Sequence, residues 1–215
     1  MNKLRDLMVR VARLERTAAL INLKGVDLSG RDLKGKNFSN TDLTGAYLRG
    51  ANLTGANLSG AYLEGATLTT AVLSEANLSR ANFTDADLIS GILKTADLTN
   101  ADLTNANLLD ADLEGANLTG AVLAGAKLYY AVLTSANLSG ANLAYADLRI
   151  ADLTNANLLD ADLRGADLSS ADLSGANLSG VKLTNADLSG AKYNDQTILP
   201  SKISRALLKS MTKTP

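Results

Sequence analysis

Carboxylates are the side chains with the clearest capacity for chemistry in this sequence, because its 215 residues include no His and no Cys. The absence of these two types excludes disulfides, zinc or haem sites built on them, and Ser-His-Asp or Cys-His catalytic machinery. Asp recurs at regular intervals from Asp27 to Asp195. General acid–base catalysis and cation binding are therefore the two chemistries that these residues would allow.

A five-residue period decides where the carboxylates lie. From Leu23 to Tyr193 every fifth residue is large and apolar, and nearly all of these residues are Leu. The residue two places earlier is almost always Ala from Ala46 onward, and the residue between them is usually Asp or Asn. The unit A-[DN]-L-x-x fits neither the 3.6-residue period of a helix nor the two-residue period of a strand. It indicates a chain that turns a corner at every repeat.

Across residues 21–195 the sequence resembles the pentapeptide-repeat family, of the uninterrupted type that is plentiful in cyanobacteria. The resemblance implies an all-β solenoid, a right-handed quadrilateral β-helix in which four pentapeptides make one coil. At about 4.8 Å per coil, nearly nine coils would form a rod on the order of 42 Å long. Asn recurs at steps of twenty from Asn37 to Asn177, with Asp97 as the one exception, and this column supports a coil of four sides.

The two ends of the chain depart from the repeat and are predicted to be short α-helical caps. Residues 1–20 place apolar and basic side chains on opposite sides of a helical pattern. In residues 196–215 a second short helix is expected to open at Pro200. Such caps would cover the backbone edges that a solenoid leaves open. By analogy with the family, the C-terminal helix is also a candidate for forming a homodimer.

Large apolar residues stand out at a few outward positions, because most outward positions hold Ser, Thr, Gly, Asn or Asp. In coils of twenty residues one group falls on adjacent columns of the middle coils, with Lys127 and Arg149 at its border. Contiguous apolar patches with Tyr and a flanking Arg are typical of protein-binding sites. The alternative is that these good strand formers lie there without a function. The group, called the apolar patch below, comprises Ile89, Ile92, Leu109, Tyr129, Tyr130, Val132 and Ile150.

Leu109 lies in a run, ADLTNANLLDADL, that begins at Ala101 and recurs without change at Ala151. The copies are 50 residues apart, which is two and a half coils, so they are expected on opposite sides of the rod. Duplication of repeats explains the copy without any shared chemistry. Leu109 would stack between Ile89 and Tyr129, whereas its counterpart Leu159 would stack between two Ser residues. Only the first copy therefore contributes to the apolar patch.

The carboxylates form columns of their own toward the C-terminal half, where residues 101–195 carry 12 acids and five bases. The resemblance suggests a role for them, because certain family members linked to quinolone resistance resemble DNA in shape and charge and engage type II topoisomerases. The alternative function is thus an acidic DNA mimic that binds or inhibits DNA gyrase. The residues that would carry it, called the acidic face below, are Asp147, Asp152, Asp167, Asp172 and Asp187.

Catalysis and cofactor binding are not expected. The pattern predicts no cleft that would separate the pKa values of paired carboxylates, and no Gly-rich phosphate loop occurs. Columns of Asp in one dimension make a poor six-oxygen cage for a metal ion. Direct binding to nucleic acid is not expected either. No apolar stretch is long enough to span a bilayer, and the N-terminus does not resemble a signal peptide, so a cytoplasmic location is predicted.

The sequence thus predicts a non-enzymatic rod that presents a surface to a protein partner, whose identity the residues do not reveal.

Overall fold

The computed structural model describes residues 22–215, which wind in coils of twenty residues up to the last repeats. Each residue at the Asp/Asn position forms a parallel backbone bridge with the residue twenty places later, from Asn22↔Asp42 to Asp172↔Lys192. Two-residue turns separate the bridged positions. Four bridged sides therefore stack into a solenoid, as the five-residue period predicted. The predicted N-terminal cap, residues 1–20, lies outside the described residues.

Each corner is a turn closed by one backbone hydrogen bond. At the corner after Leu108, for example, the N–H of Ala111 donates to the Leu108 carbonyl at 3.0 Å. The third residue of this four-residue turn, Asp110, has φ 57°, the left-handed conformation that a type II turn requires at that position. Gly adopts this conformation without strain, and Asn and Asp tolerate it better than other residues. The frequent Gly at the end of the repeat is explained by this turn.

The Asp or Asn of the repeat supplies an acceptor that the backbone lacks. Four of the five N–H groups of a repeat donate to carbonyls of the same turn or of a neighbouring coil. The remaining N–H donates to the side chain two residues earlier, as the N–H of Thr104 does to Asp102 Oδ1 at 2.9 Å. A hydrogen bond of this kind closes an Asx turn, which Asp and Asn side chains favour. The fold thus explains the Asp or Asn of A-[DN]-L-x-x without any chemical role for its side chain.

The interior of the solenoid is filled by the apolar positions of the repeat. Leu fills the space within each coil, and the small Ala side chain allows the backbone to lie close to the Leu side chains. From Ala46 to Leu178 nearly all of these side chains are fully buried, and Phe38 and Phe83 occupy two of the Leu positions. Each buried Leu contributes roughly 1.5–3 kcal/mol relative to an exposed one. The core is thus one continuous column along the rod.

The predicted column of Asn side chains is a direct amide ladder only near the C-terminal end. Asn177 and Asn157 donate to the side-chain oxygens of Asn157 and Asn137, at 3.2 Å in both cases. One coil earlier, Asn137 donates to the hydroxyl of Thr119 at 3.0 Å. Asp97 has no amide hydrogen to donate, so the direct ladder cannot continue through it.

The chain leaves the five-residue period near its C-terminus. Asn177 is bridged to Ile198, 21 residues later, so one residue is inserted after β1, Lys192–Tyr193. In the regular coils the N–H at this corner position donates to a backbone carbonyl of the next coil. Here side-chain oxygens take the place of that carbonyl, because the N–H of Gly175 donates to Asn194 Oδ1 at 3.0 Å and to Thr197 Oγ1 at 3.1 Å.

The last segment contains one short helix and a final strand. Helix α1, Arg205–Ser210, begins later than the expected opening at Pro200, because the Oγ of Ser204 caps it by accepting the N–H of Leu207 at 3.1 Å. Strand β2, Thr212–Lys213, then pairs in parallel with β1, in the register Lys192↔Thr212. An open pocket of about 580 Å³ lies between the helix and the last coil; its lining includes Val181, Leu183, Pro200, Ile203 and Leu207.

Candidate functional site

The apolar patch lies around one corner of the rod, on three neighbouring columns of side chains. Backbone hydrogen bonds hold the coils together beneath it, for example from the N–H of Asp110 to the carbonyl of Tyr129 at 3.0 Å. The exposed fraction is 50% for Tyr130, 40% for Ile150 and 37% for Ile92, and the other members are half-buried. The columns, in order around the rod, are Ile89, Leu109 and Tyr129; then Tyr130 and Ile150; then Ile92 and Val132.

At the centre of the patch a charged group is held against an aromatic pair. The rings of Tyr129 and Tyr130 meet edge to face, with their centres 4.3 Å apart. The guanidinium of Arg149 lies 5.0 Å from the centre of the Tyr129 ring. Asp147 accepts the Nε–H of Arg149 at 2.8 Å and a terminal N–H at 2.7 Å. These hydrogen bonds lower the pKa of Asp147 and raise the pKa of Arg149, so both groups are charged at neutral pH.

The patch departs from the local rule for the corners. Within residues 22–215, eighteen residues other than Gly have positive φ, and most of these are Asn, Asp, Ser or Thr. The large apolar ones are Tyr130, Tyr145 and Ile150, with φ between 59° and 60°. All three lie within 21 consecutive residues of the chain. Ile is the least suited of them, because a β-branched side chain crowds the left-handed backbone. Such departures gather at functional sites.

The patch also departs from the rule for the bridged position. Ile92 and Val132 occupy the place of Asp or Asn, as does the neighbouring Lys127. None of these side chains carries an oxygen that could accept the N–H two residues later. These coils thus lose hydrogen bonds in exchange for apolar surface. The same replacement occurs outside the patch, so it distinguishes the patch only together with the corners; the other sites include Tyr47, Tyr62, Val72 and Val122.

Tyr145 is the most exposed large apolar residue of the described chain, at 76%, and it lies on the other corner of the same side as Tyr129. Its ring lies over Gly165 in the next coil, where an added Cβ would come within 2.6 Å of the ring. The sequence alone could not reveal this packing, because it depends on the direction in which corner side chains lean. The column that contains both Lys127 and Asp147 lies between Tyr145 and the patch.

The acidic face is aligned as the register predicted, with bridges from Asp147 to Asp167 to Asp187 and from Asp152 to Asp172. Three of these five carboxylates are, however, engaged by bases. Asp147 binds Arg149, and Asp172 lies 3.7 Å from the Nζ of Lys192. Arg149 is also 3.8 Å from Asp167. The free negative charge of the acidic face is therefore smaller than its number of Asp residues suggests.

The remaining two members of the acidic face are held by hydroxyl and amide donors. Burial raises the pKa of Asp152, but hydrogen bonds from Thr154 and Thr134 outweigh it, so the net pKa is lowered. Hydrogen bonds from the side chain and backbone of Ser189 lower the pKa of Asp187. Both carboxylates are consequently ionised at neutral pH, but each has donors within its own coil or the next.

Neither a metal-binding cluster nor a membrane-spanning helix occurs within residues 22–215. In this range no three acidic side chains lie close enough together to hold a metal ion. The part of the chain that the structure describes also contains no helix long and apolar enough to cross a membrane.

The sequence matches a family model described as pentapeptide repeats, in eight copies. The matched segments are residues 21–60, 51–94, 96–134, 131–169 and 161–192. No curated protein matches the sequence.

HetL and QnrB1 are among the solved structures that resemble this chain over most of its length. HetL, a pentapeptide repeat protein involved in heterocyst differentiation regulation in the cyanobacterium Nostoc sp. strain PCC 7120, is 34% identical with a TM-score of 0.68. The alignment covers 86% of this chain and 94% of HetL. A trypsin-treated form of QnrB1, a plasmid-mediated fluoroquinolone resistance protein, is 24% identical with a TM-score of 0.62, over 91% of this chain and 90% of QnrB1. At that identity the likeness to QnrB1 extends to the fold alone.

Proposed function

Because the chain belongs to the pentapeptide repeat family, whose members are generally structural or binding proteins, we propose that it is a non-enzymatic rod that binds a protein partner through the apolar patch. The observation that carries the proposal is that large apolar residues occupy two stacked left-handed corners beside other apolar side chains. Tyr130 and Ile150 occupy left-handed corners, and Ile92 and Val132 replace side-chain acceptors. A chain gains nothing in stability from these choices, whereas a partner gains an apolar surface.

The chemistry of the patch fits a protein partner. Arg149 lies against the ring of Tyr129 and is held there by two hydrogen bonds to Asp147. These side chains therefore lose little conformational entropy when a partner binds. Tyr and Arg are enriched among the residues that contribute most to protein interfaces. HetL is involved in the regulation of heterocyst differentiation, and this supports a regulatory role for the partner of this chain as well.

The experiment that tests the proposal is affinity capture from a lysate of the source organism with three forms of the protein. The copied run provides a matched control, because Leu109→Asp and Leu159→Asp place the same charge in the same thirteen-residue sequence on opposite sides of the rod. We expect the native protein and Leu159→Asp to capture the same partner, and Leu109→Asp to lose it.

Circular dichroism and thermal unfolding must first show that both variants are folded. With the captured partner purified, Tyr129→Ala should weaken binding by about 2 kcal/mol, or about thirtyfold. A partner retained equally by all three forms would rule out the apolar patch as the binding site.

The acidic DNA mimic is the second candidate function, and the alignment of Asp147, Asp167 and Asp187 along one column favours it. The ion pairs of Asp147 and Asp172 with bases weaken it, because a phosphate mimic needs uncompensated charge. Its test is a supercoiling assay with purified DNA gyrase. We expect no inhibition, and inhibition that disappears at high salt would favour the mimic instead.

We further propose that the terminal segments 1–20 and 196–215 serve as caps of a β-helix of nearly nine coils, and that the protein is cytoplasmic.

Val181 and Leu183 of the last coil are only half-buried beneath Ile203 and Leu207, so this end retains apolar surface. A homodimer through the C-terminal helix would cover it. Sedimentation equilibrium tests this, since Leu207→Asp should convert such a dimer to a monomer.

A further inference from the structure

The apolar patch already holds one guanidinium group of its own chain. Arg149 lies against the ring of Tyr129 while Asp147 accepts two of its N–H groups, at 2.8 and 2.7 Å. A guanidinium is attracted to the face of an aromatic ring and pairs with a carboxylate through two parallel hydrogen bonds. An aromatic face and a carboxylate in neighbouring positions are therefore sufficient to hold an arginine at this corner.

The next column presents the same two groups without a cation. Tyr130 and Asp110 occupy the same corner position in successive coils, and both side chains are exposed. The hydroxyl of Ser90 donates to Asp110 Oδ2 at 3.1 Å and so orients the carboxylate. None of the ion pairs formed within residues 22–215 includes Asp110.

We propose that Tyr130 and Asp110 form a receptor for an arginine side chain of the protein partner. This inference rests on the proposed function and names the chemistry of the partner: apolar residues for the patch, and an arginine beside them. Arginine suits the site better than lysine, because its planar group can stack on the ring and pair with the carboxylate at once.

The charge of the surrounding surface is complementary to such a partner. Residues 101–195 carry 12 acids and five bases. Four of those bases, Arg149, Arg164, Lys182 and Lys192, already form ion pairs with acids of the rod. The acids in excess are left to attract cations from outside the chain.

The copied run again supplies a matched control. Asp110 and Asp160 have the same neighbours in sequence and the same φ of 57°. In the next coil, however, Asp110 is followed by Tyr130, whereas Asp160 is followed by Gly180, over which its carboxylate lies. Asp160 thus offers the same carboxylate without an aromatic ring.

The test is an NMR titration of the full-length protein, labelled with ¹³C in its tyrosine rings, with two synthetic peptides. One is an acetylated Ile-Arg-Ile amide, and the other carries citrulline, the neutral isostere of arginine. We expect the arginine peptide to shift the ring signals of Tyr130 and to bind about fivefold more tightly than the citrulline peptide. Asp110→Asn should remove this preference, and Asp160→Asn should preserve it.

Equal affinity of the two peptides for the native protein would overturn the receptor, as would a preference that survives in Asp110→Asn or a failure of both peptides to bind. The proposed function is judged separately. If the citrulline peptide binds as well as the arginine peptide and Leu109→Asp abolishes both, the patch binds protein segments but has no arginine receptor. Capture of the partner that depends on Leu109 would likewise support the function whatever the peptides do.

Discussion

At the residue scale, the unusual feature of this protein is the choice of side chains at its corners. A left-handed conformation costs a residue with a Cβ roughly 1–2 kcal/mol relative to Gly. Most corners avoid this cost with Gly or reduce it with Asn or Asp. Tyr130 and Ile150 do neither, and both project from the rod into solvent. Tyr130 gains an edge-to-face contact with Tyr129, yet half of its surface remains exposed to solvent, and we take this exposed apolar surface as the mark of a partner.

Replacing Ile150 with Gly is therefore expected to stabilise the rod by about 1 kcal/mol while it weakens partner binding. Ser135→Gly is the control, because Ser135 is another left-handed corner, with φ 58°, outside the patch. It should raise the unfolding temperature and leave binding unchanged. Thermal unfolding and binding titrations measure the two effects. A lower unfolding temperature for Ile150→Gly would contradict the argument from strain.

The ion pair of Asp147 with Arg149 predicts a dependence of stability on pH. Hydrogen bonds from Arg149 lower the pKa of Asp147 in the folded protein. Its contribution to stability is thus fully present above the unfolded pKa of about 4 and is lost as the pH falls through the lower folded value. Asp147→Asn should destabilise the protein at pH 7 and have little effect in strong acid. Urea unfolding at both pH values measures this, and a constant difference would show that the ion pair contributes no stability.

At the scale of the element, the pentapeptide is a unit in which each position has a distinct role. Ala allows close approach, Asp or Asn accepts the leftover N–H, Leu fills the core, and two residues form the corner. The five-residue period could therefore predict a chain that turns a corner at every repeat, and the family resemblance with the twenty-residue Asn column added the four sides and the residues that share a column. It could not predict that Asp147 is held by Arg149, or that the ring of Tyr145 covers Gly165, because those contacts depend on side-chain rotamers.

The C-terminal end was also beyond the pattern. One inserted residue before Ile198 breaks the period, and the helix begins at Arg205 because Ser204 provides its cap. A periodic pattern predicts the regular coils. The structure of the last segment depends instead on local hydrogen bonds, such as those of Asn194 and Thr197 with Gly175.

The role of the bridged position can be tested at Val132. Val132→Asn should place an acceptor before the N–H of Thr134 and stabilise the fold by about 0.5–1.5 kcal/mol. Val132→Ala, which removes apolar surface without adding an acceptor, is the control and should not stabilise it. If both variants gain equally in urea unfolding, the side-chain hydrogen bond is not the cause.

The core position is tested at Leu118, which is fully buried in the middle of the rod. Leu118→Ala should reduce the free energy of unfolding by roughly 2–5 kcal/mol, because a packed column cannot close around the cavity. Thr119→Ala, at the half-buried position beside it, should have a smaller effect. A loss below about 1 kcal/mol for Leu118→Ala would mean that neighbouring coils collapse into the space.

At the scale of the whole molecule, charge is distributed unevenly. The bases of the C-terminal half are mostly engaged with acids of the rod, and the apolar patch lies within an acidic surrounding. Binding through the patch, as proposed above, would depend mainly on burial of apolar surface, with a smaller contribution from charge.

Partner binding should consequently weaken by no more than about tenfold between about 0.1 and 0.5 M salt, since salt screens exposed charges and hardly affects apolar contacts. A DNA mimic would lose orders of magnitude in affinity over this range. Titration calorimetry at the two salt concentrations distinguishes them, and a steep loss would favour the acidic face over the patch.

The coil of twenty residues carries a consequence for how such a gene can change. Inserting any multiple of five residues preserves the repeat, but only a multiple of twenty restores each column to its own side of the rod. Ten extra residues between Leu109 and Tyr129 would turn the two halves of the patch by half a revolution relative to each other, and the fold would still form. Proteins of this architecture can thus change in length without losing the fold, but only insertions of twenty residues keep their surface columns aligned. A surface that continues across several coils is therefore more readily explained by selection than by repeat duplication alone.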